Sequence, residues 1–388
     1  MTSSRALVVS DGETPHVLAA VRSLARGGYE VGVAAPAGSL RSEASSRHAR
    51  HRHDVPPVEA GIDAYLSAVA TAIDDVGYDV VLPGDDADLL ALSWGRARLS
   101  AVLPYPTHEV VVRAVDKLEL VRAARAADLG APDTVVADDA ALAAVVGAVV
   151  VKARLHWQPE SVGADRHLEA VDCADAHSAA VAAAAMRAQG GEPLLQECID
   201  GQLSAISMVL DRAGRILAVT QQTSSRLSLR RTSVRARTVT VDEELVERVR
   251  RMLVSLGWHG LANVQMLSPA GGHPQVIDLN GRFYGSLALA VRSGADLPVV
   301  WVDDALGRAT DDIRRGRAGV RFHAFEEDLR RARAERRHGI VLDVGRVIAS
   351  APFAAHTTWS ATDPGPSLRR VRALARTAGS RLTGRRLS

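Results

Sequence analysis

Two amino-acid types are almost missing from this chain of 388 residues. Of its 47 basic residues only Lys117 and Lys152 are lysine, and only Asn263 and Asn280 are asparagine. Lysine carries a compact, rotatable ammonium, whereas arginine carries a wide planar fork. Asparagine sets a neutral carbonyl oxygen beside an amide donor. Chance survival would explain any one of them, but we expect the four together to have roles that other residues cannot fill.

Cysteine, long apolar runs and a strong net charge are scarce as well. Cys173 and Cys198 form neither a disulfide framework nor a zinc pattern, which favours a reducing compartment. The longest apolar run, 140–151, is shorter than the roughly 20 residues that a bilayer requires. The N-terminus lacks the pattern of a signal peptide, and a net charge of +2 gives no field for nucleic acid. These exclusions predict a globular, cytoplasmic protein that binds no nucleic acid.

The first part of the chain alternates strand-like and helix-like runs. Strands are predicted at 6–10, 29–35 and 79–83, and helices at 15–28, 62–76 and 85–94. This order is typical of a parallel sheet and predicts a Rossmann-like α/β domain over residues 1–112. The segment 39–54, rich in Ser, Arg and His, is predicted to be a solvated loop. Asp85 and Asp86 follow the third strand, where they either cap a helix or face a substrate.

From residue 113 the pattern changes to α+β. Strand-like runs are predicted to form one antiparallel meander at 193–199, 204–210, 215–222 and 233–241, and two more strands follow at 260–267 and 274–280. We expect a second domain at 113–310, with a lid at about 130–200, and an arginine-rich extension at 311–388. The end of that extension, 366–388, is either a solvated tail or packing helix, which we favour, or a weak contact with an anionic membrane or acidic partner.

The segment 260–286 is the most informative part of the sequence. Alternation along a strand puts Asp278 and Asn280 on one face, and Asn263 and Gln265 on one face of the preceding strand. A turn between the two strands would bring these oxygen donors together over an apolar layer. Magnesium prefers hard oxygen ligands and takes part of its shell from phosphates. The segment is therefore either a magnesium-binding hairpin or an ordinary exposed hairpin face.

One stretch of that segment, VIDLNGRFYGS, resembles the E-x-N-x-R-x-x-G-S element of the ATP-grasp superfamily, in its carbamoyl-phosphate-synthetase-like form. The resemblance implies that Gln265, Asp278 and Asn280 are magnesium ligands. It also implies that Arg282 is a catalytic residue that steadies an acyl phosphate. The family usually has Glu where this chain has Asp278, so we expect ligation through one oxygen.

Three more segments resemble ATP-binding elements of the same family. Lys117 lies in a D-K segment that ends in G-x-P, and Lys152 ends the strand-like run VVVKA, as the two phosphate-binding lysines of the family do. The run LLQECIDGQ resembles the Q-E-x-I-x-G hinge, which gives the adenine-side candidates Gln196, Glu197, Cys198 and Ile199. Two features depart from the family. Leu203 replaces the acid that usually holds the ribose, and the lid loop 153–165 has one glycine and the bulky Trp157.

The resemblance implies a fold of mixed class, α/β and α+β: a Rossmann-like pre-ATP-grasp domain, a two-lobed ATP-grasp domain and a C-terminal extension. It implies ATP and Mg²⁺ as cofactors, and small-molecule carboxylate and amine substrates that are joined through an acyl phosphate. A homodimer is also considered. Two alternatives stay open: an acyl-phosphate enzyme that makes carbamoyl phosphate or carboxylates a substrate, and a nucleotide-binding module without catalysis.

Overall fold

The structure is a computed structural model that describes residues 3–12, 16–39, 43–155, 168, 170–228, 231–308, 311–335, 337 and 339–372. The strands are β1 Arg5–Val9, β2 Glu30–Ala35, β3 Ala49–Asp54, β4 Val80–Leu82, β5 Thr134–Val136, β6 Val149–Ala153, β7 Val171–Cys173, β8 Pro193–Glu197, β9 Gln202–Leu210, β10 Ile216–Leu227, β11 Ser233–Val239, β12 Gly260–Ser268, β13 Gln275–Asn280, β14 Arg314–Arg315, β15 Arg321–His323 and β16 Ala355–His356. The helices are α1 Val17–Arg26, α2 Ile62–Val76, α3 Asp86–Trp94, α4 His108–Val115, α5 Lys117–Ala126, α6 Asp139–Ala143, α7 Ala176–Ala188, α8 Glu243–Ser255, α9 Leu287–Ser293, α10 Leu297–Ala305, α11 Phe325–Glu335 and α12 Ile340–Ser350.

The N-terminal sheet is parallel and has the strand order β3-β2-β1-β4. Its central strand β1 is an apolar run because both of its faces are covered, and Ala6 pairs with Val31 on one side and Val80 on the other. The predicted α/β character of this part of the chain is confirmed. The carboxyl ends of β1 and β4 point to the same edge of the sheet, where ligands gather in folds of this kind.

The prediction of a solvated loop at 39–54 is wrong, because its second half forms the edge strand β3. His51 and His53 are half-buried on one side of β3, while Arg50 and Arg52 are exposed on the other. The His51 ring lies 2.6 Å from Glu30 Oε1, and the His53 ring lies 2.8 Å from the Tyr78 hydroxyl. An edge strand leaves one row of side chains in water, so its polar alternation looked like a loop.

A smaller antiparallel sheet, with the order β5-β8-β6-β7, packs against α7. The prediction that 193–199 continues one meander with the following strands is wrong, since β8 pairs with β5 and β6 instead. Gly201 stands between β8 and β9, and a Cβ there would approach the Ser268 backbone to 2.7 Å. A glycine is needed at this crossing, and it separates the small sheet from the large one.

The large sheet has eight strands, in the order β13-β12-β9-β10-β11-β15-β16 with β14 beside β10. Its strands are antiparallel except where β14 and β16 join. Strands β14, β15 and β16 come from beyond residue 310, so the C-terminal part of the chain completes this sheet. The domain boundaries given above stay a prediction.

The described residues include no helix that is both long and apolar enough to cross a bilayer. Most of the arginine-rich end of the chain, from residue 373, lies outside those residues, so its role stays a prediction.

Candidate active site

A cleft of about 2500 Å³ runs between the three sheets. Its lining includes, among the residues singled out in the sequence, Lys117, Lys152, Gln196, Gln265, Asp278, Asn280 and Arg282. They come from α5, β6, β8, β12, β13 and the turn after β13. Residues that are up to 165 positions apart in the chain therefore share one cavity.

The hairpin of β12 and β13 has the predicted pairing. Gln265 lies opposite Asp278, and Asn263 lies opposite Asn280. The Asn280 side-chain amide donates to Asn263 Oδ1 at 3.3 Å, and the Asn263 amide donates in turn to the Ser207 hydroxyl at 2.8 Å. The hydrogen bond to Asn263 thus fixes the orientation of the Asn280 side chain. Because the side-chain nitrogen of Asn280 faces Asn263, its side-chain carbonyl oxygen points away from Asn263.

Lys117 reaches this hairpin from the first turn of α5. Asp116 caps the helix by accepting from Leu118 N at 2.8 Å, and it also pairs with Arg154 Nε at 2.7 Å. The cap fixes the start of the helix, and the Lys117 side chain, 4% exposed, contacts Asp278 Oδ1. A buried ammonium is thereby held on the carboxylate that the sequence predicts as a metal ligand.

Lys152 approaches the same strand from the small sheet. Its side chain is buried, and its ammonium donates to the Ile277 carbonyl at 3.2 Å. Burial, together with the nearby charge of Lys117, lowers the pKa of Lys152 to about 7. An anion bound between the two ammoniums would offset both the burial of the Lys152 charge and its repulsion by Lys117. The arrangement therefore favours a ligand with concentrated negative charge.

Arg282 is anchored across the cleft by the N-terminal sheet. Its Nε and Nη2 donate to the two oxygens of Asp86 at 3.1 and 2.9 Å, and its Nη1 donates to the Phe283 carbonyl at 2.9 Å. Asp85 caps α3, as one of the two alternatives predicted. Burial and then the charge of Asp11 raise the pKa of Asp85 to about 7. The sequence singled out Asp86 by its place after a parallel strand, but it did not predict the ion pair of Asp86 with Arg282.

The four residues predicted for the adenine side differ in burial and in their contacts with the cleft. Gln196 is buried and donates to Thr134 Oγ1 at 2.8 Å, while Glu197 is exposed and accepts from Asp133 N at 3.3 Å. Both residues line the cleft together with Ile199, whereas Cys198 is half-buried and is not among the lining residues. Leu203 also lines the cleft, so an apolar side chain stands where the family has an acid. The lid loop falls outside the described residues from 156 onward.

The donors of the hairpin suit magnesium. No group of three or more His, Cys, Asp or Glu side chains that could hold a metal occurs in the described ranges. One carboxylate, Asp278, and the amides of Gln265 and Asn280 form an oxygen set of low charge. Such a set is incomplete for a metal on its own and suits Mg²⁺, which takes further oxygens from phosphates and water.

Three solved structures illustrate the fold that this chain shares. The biotin carboxylase domain dimer of Hydrogenobacter thermophilus 2-oxoglutarate carboxylase, in complex with MgADP, ADP and bicarbonate, superposes with a TM-score of 0.64 at 13% identity over 83% of this chain and 74% of that one. N5-carboxyaminoimidazole synthetase from Staphylococcus aureus gives 0.61 at 11% identity over 81% and 80%. L-amino acid ligase from Bacillus licheniformis gives 0.57 at 16% identity over 79% and 75%. These likenesses show a fold that the chain shares with all three proteins.

A family model places the chain more narrowly. Residues 191–327 match the family described as ATP-grasp in the biosynthetic pathway with Ter operon. The match covers about a third of the chain, includes the hairpin segment and confirms the resemblance seen there. No curated protein matches its sequence.

Proposed function

We propose that this ATP-grasp protein is an ATP-dependent ligase that activates a carboxylate as an acyl phosphate and joins it to an amine. One observation carries the proposal. The only two lysines of the chain reach the same strand, β13, from α5 and from β6, with Lys117 on Asp278 and Lys152 on the Ile277 carbonyl. A triphosphate needs concentrated positive charge beside a metal-binding carboxylate, and this cleft offers both.

Lys117 and Lys152 bind the phosphates, and Gln196, Glu197, Cys198 and Ile199 form the adenine side. Gln265, Asp278 and Asn280 hold Mg²⁺, whose charge offsets that of the β- and γ-phosphates when it is bound. Asn263 keeps Asn280 oriented through its hydrogen bond, and Asp116 keeps Lys117 at the helix start. Two of the proposed ligand-binding side chains, Asn280 and Lys117, are therefore each positioned by a second residue.

The reaction has two steps. A carboxylate oxygen of the first substrate attacks the γ-phosphorus, the bond to the β-phosphate oxygen breaks, and ADP leaves. The amine then attacks the carbonyl carbon of the acyl phosphate, loses a proton, and expels phosphate as the amide forms. Arg282 lies at the edge of the metal hairpin and is held by Asp86, so its guanidinium can stabilise the negative oxygens that develop in both steps.

Oxygen transfer tests the proposal. Carboxylates labelled with ¹⁸O are incubated with ATP, Mg²⁺ and amines, and amino acids serve in the first panel because they carry both groups. The acyl-phosphate route moves one labelled oxygen from the acid into inorganic phosphate. Amide formation with unlabelled phosphate would contradict it.

Two other outcomes separate the alternatives. ADP release that requires bicarbonate would favour a carboxylase or a carbamoyl-phosphate enzyme. Tight nucleotide binding without any substrate-dependent ADP release would favour a module without catalysis. The buried Leu203 at the place of the ribose-binding acid is the observation that favours this second alternative.

A further inference from the structure

The cleft is larger than its nucleotide end requires. Small-molecule sites typically measure about 300–1,000 Å³, whereas this cleft measures about 2500 Å³. Its far end is lined by the N-terminal sheet, by α11 and by the segment 351–371, which we call the strap. A cavity of this size has room for a substantial molecule beyond Mg-ATP.

The strap exposes large apolar side chains into that far end. Phe353 and Trp359 both line the cleft, and they are 83% and 57% exposed. Val371 lines it as well and is mostly exposed. The lining also includes Val55, which directly follows β3 of the N-terminal sheet. Apolar groups that converge on one cavity are typical of a site for an apolar ligand.

Phe353 is also held in an unfavourable backbone conformation. Its φ of +66° is in the left-handed region, where a bulky side chain is rarely found. Strain of this kind persists where the surrounding structure imposes it, often at ligand-binding sites. Here the strained residue exposes an aromatic ring instead of burying it. Packing within the protein therefore does not account for its position.

A buried ion pair fixes the strap to α1, and hydrogen bonds fix it to the segment that precedes β3. Asp363 is 1% exposed and accepts from Arg22 Nε at 2.8 Å, from Ser46 Oγ at 2.7 Å and from Arg47 N at 3.0 Å. Arg22 Nη2 also donates to the Thr358 carbonyl at 2.9 Å, next to Trp359. The D-P-G-P sequence at 363–366, which the proposed reaction does not use, thus anchors the strap. The exposed rings are held on a fixed support.

We propose that the strap is the specificity-determining wall of the acceptor end of the cleft and binds a bulky apolar group, aromatic or branched aliphatic, on one of the two substrates. This inference rests on the proposed ligase function for its role, but the apolar site itself does not depend on it. The continuity of this wall with the Mg-ATP end of one cleft argues for a small-molecule substrate rather than a second copy of the chain.

Binding of 1-anilinonaphthalene-8-sulfonate tests the site without any reaction. The dye is titrated into the wild type, Trp359→Ala and Phe353→Gly, with Leu368→Ala as the matched control, because Leu368 is exposed on the strap but does not line the cleft. We expect dye affinity to fall about 10-fold in the first two variants, since each loses an apolar contact, and to hold in the control. Equal losses in all variants, or none, would overturn the proposal.

Phe353→Gly separates a binding role from a structural one. Glycine adopts a φ of +66° without strain, so the thermal midpoint should hold or rise while the dye affinity falls. A lower midpoint would mean that the ring stabilises the fold and would count against the proposal. Sedimentation provides the other check, because a change of mass in Trp359→Ala would assign the apolar wall to a contact between copies of the chain.

The substrate is then located by matched pairs in the ADP-release assay. One arm compares 3-phenylpropionate with propionate at a fixed amine, and the other compares benzylamine with methylamine at a fixed acid. In one arm we expect the aromatic member to have a KM about 10-fold lower, and Trp359→Ala to remove that advantage without changing the KM for ATP. Turnover without an aromatic preference in either arm would overturn the proposal. Dye binding that depends on Trp359, with no ADP release at all, would leave the apolar site standing and count against the ligase function.

Discussion

The two ends of the cleft differ in the charge and the burial of the side chains that line them. At the nucleotide end the charged groups are paired and buried, with Lys117 on Asp278 and Lys152 on a backbone carbonyl. At the strap end the rings of Phe353 and Trp359 are exposed and unsupported by packing. The first end suits one anionic ligand in a fixed position, and the second suits an apolar group of a ligand. Under the proposed function, nucleotide binding and substrate choice would depend on these two separate parts of the cleft.

The largest expected effect falls where the two ends meet, at Arg282. Arg282→Ala should lower kcat by roughly 10²–10³-fold, because it removes a cation aimed at charge that develops during the reaction. The Kd for ATP should hold, since the two lysines remain. Turnover close to that of the wild type would remove Arg282 from the reaction.

Asp86→Asn is the matched control for Arg282→Ala. It keeps the guanidinium and removes only the carboxylate that orients it. We expect a loss of no more than about 10-fold in kcat, together with recovery in Asp86→Glu. Equal losses in Asp86→Asn and Arg282→Ala would mean that the ion pair, rather than Arg282 itself, carries the effect.

The anchor of the strap comes next. Asp363→Asn should lower the free energy of unfolding by about 3–5 kcal/mol, because it leaves Arg22 buried without a counter-ion. The double variant Arg22→Met/Asp363→Leu should regain most of that loss. Urea denaturation measures both. Arg98→Ala, which breaks an exposed pair with Asp63, is the control and should change the free energy by less than about 1 kcal/mol.

The smallest expected effect is the pH dependence at Lys152. Its pKa of about 7 in the folded protein lies below the ordinary value of 10.5, so the buried charge destabilises the fold fully below pH 7. That penalty fades as pH rises from 7 to 10.5. Lys152→Met should therefore raise the thermal midpoint most near pH 6 and little near pH 10, while weakening ATP binding about 10-fold.

Lys117→Met is the counterpart of that variant. Lys117 pairs directly with Asp278, so its loss should lower the thermal midpoint as well as the ATP affinity. If both lysine variants changed stability in the same direction, the contrast between a paired and a desolvated ammonium would fail.

The sequence predicted the site best where chemistry is encoded locally. Asp278 and Asn280 share a strand face by alternation alone, and their pairing with Gln265 and Asn263 follows from a single turn. The scarcity of lysine was enough to single out Lys117 and Lys152 from composition. Helix boundaries such as Ile62–Val76 and Asp86–Trp94 also agreed with the pattern to within a residue.

Long-range pairs were not predictable in the same way. Arg282 meets Asp86 over 196 positions and Arg22 meets Asp363 over 341, and arginines are too common here for composition to single any out. The separation of β8 from β9 depends on a close approach of Gly201 to the Ser268 backbone, which no local pattern encodes. Edge strand β3 was missed because its alternation of arginine and histidine looks polar throughout.

Calorimetric titration with a non-hydrolysable ATP analogue tests the central claim most directly. The account predicts that Mg²⁺ strengthens binding to the wild type about 10-fold or more. It also predicts no Mg²⁺ effect in Asp278→Ala, and weaker binding in Lys117→Met and Lys152→Met with or without the metal. A Mg²⁺ effect that survives in Asp278→Ala, with wild-type affinity in both lysine variants, would show that the nucleotide binds elsewhere.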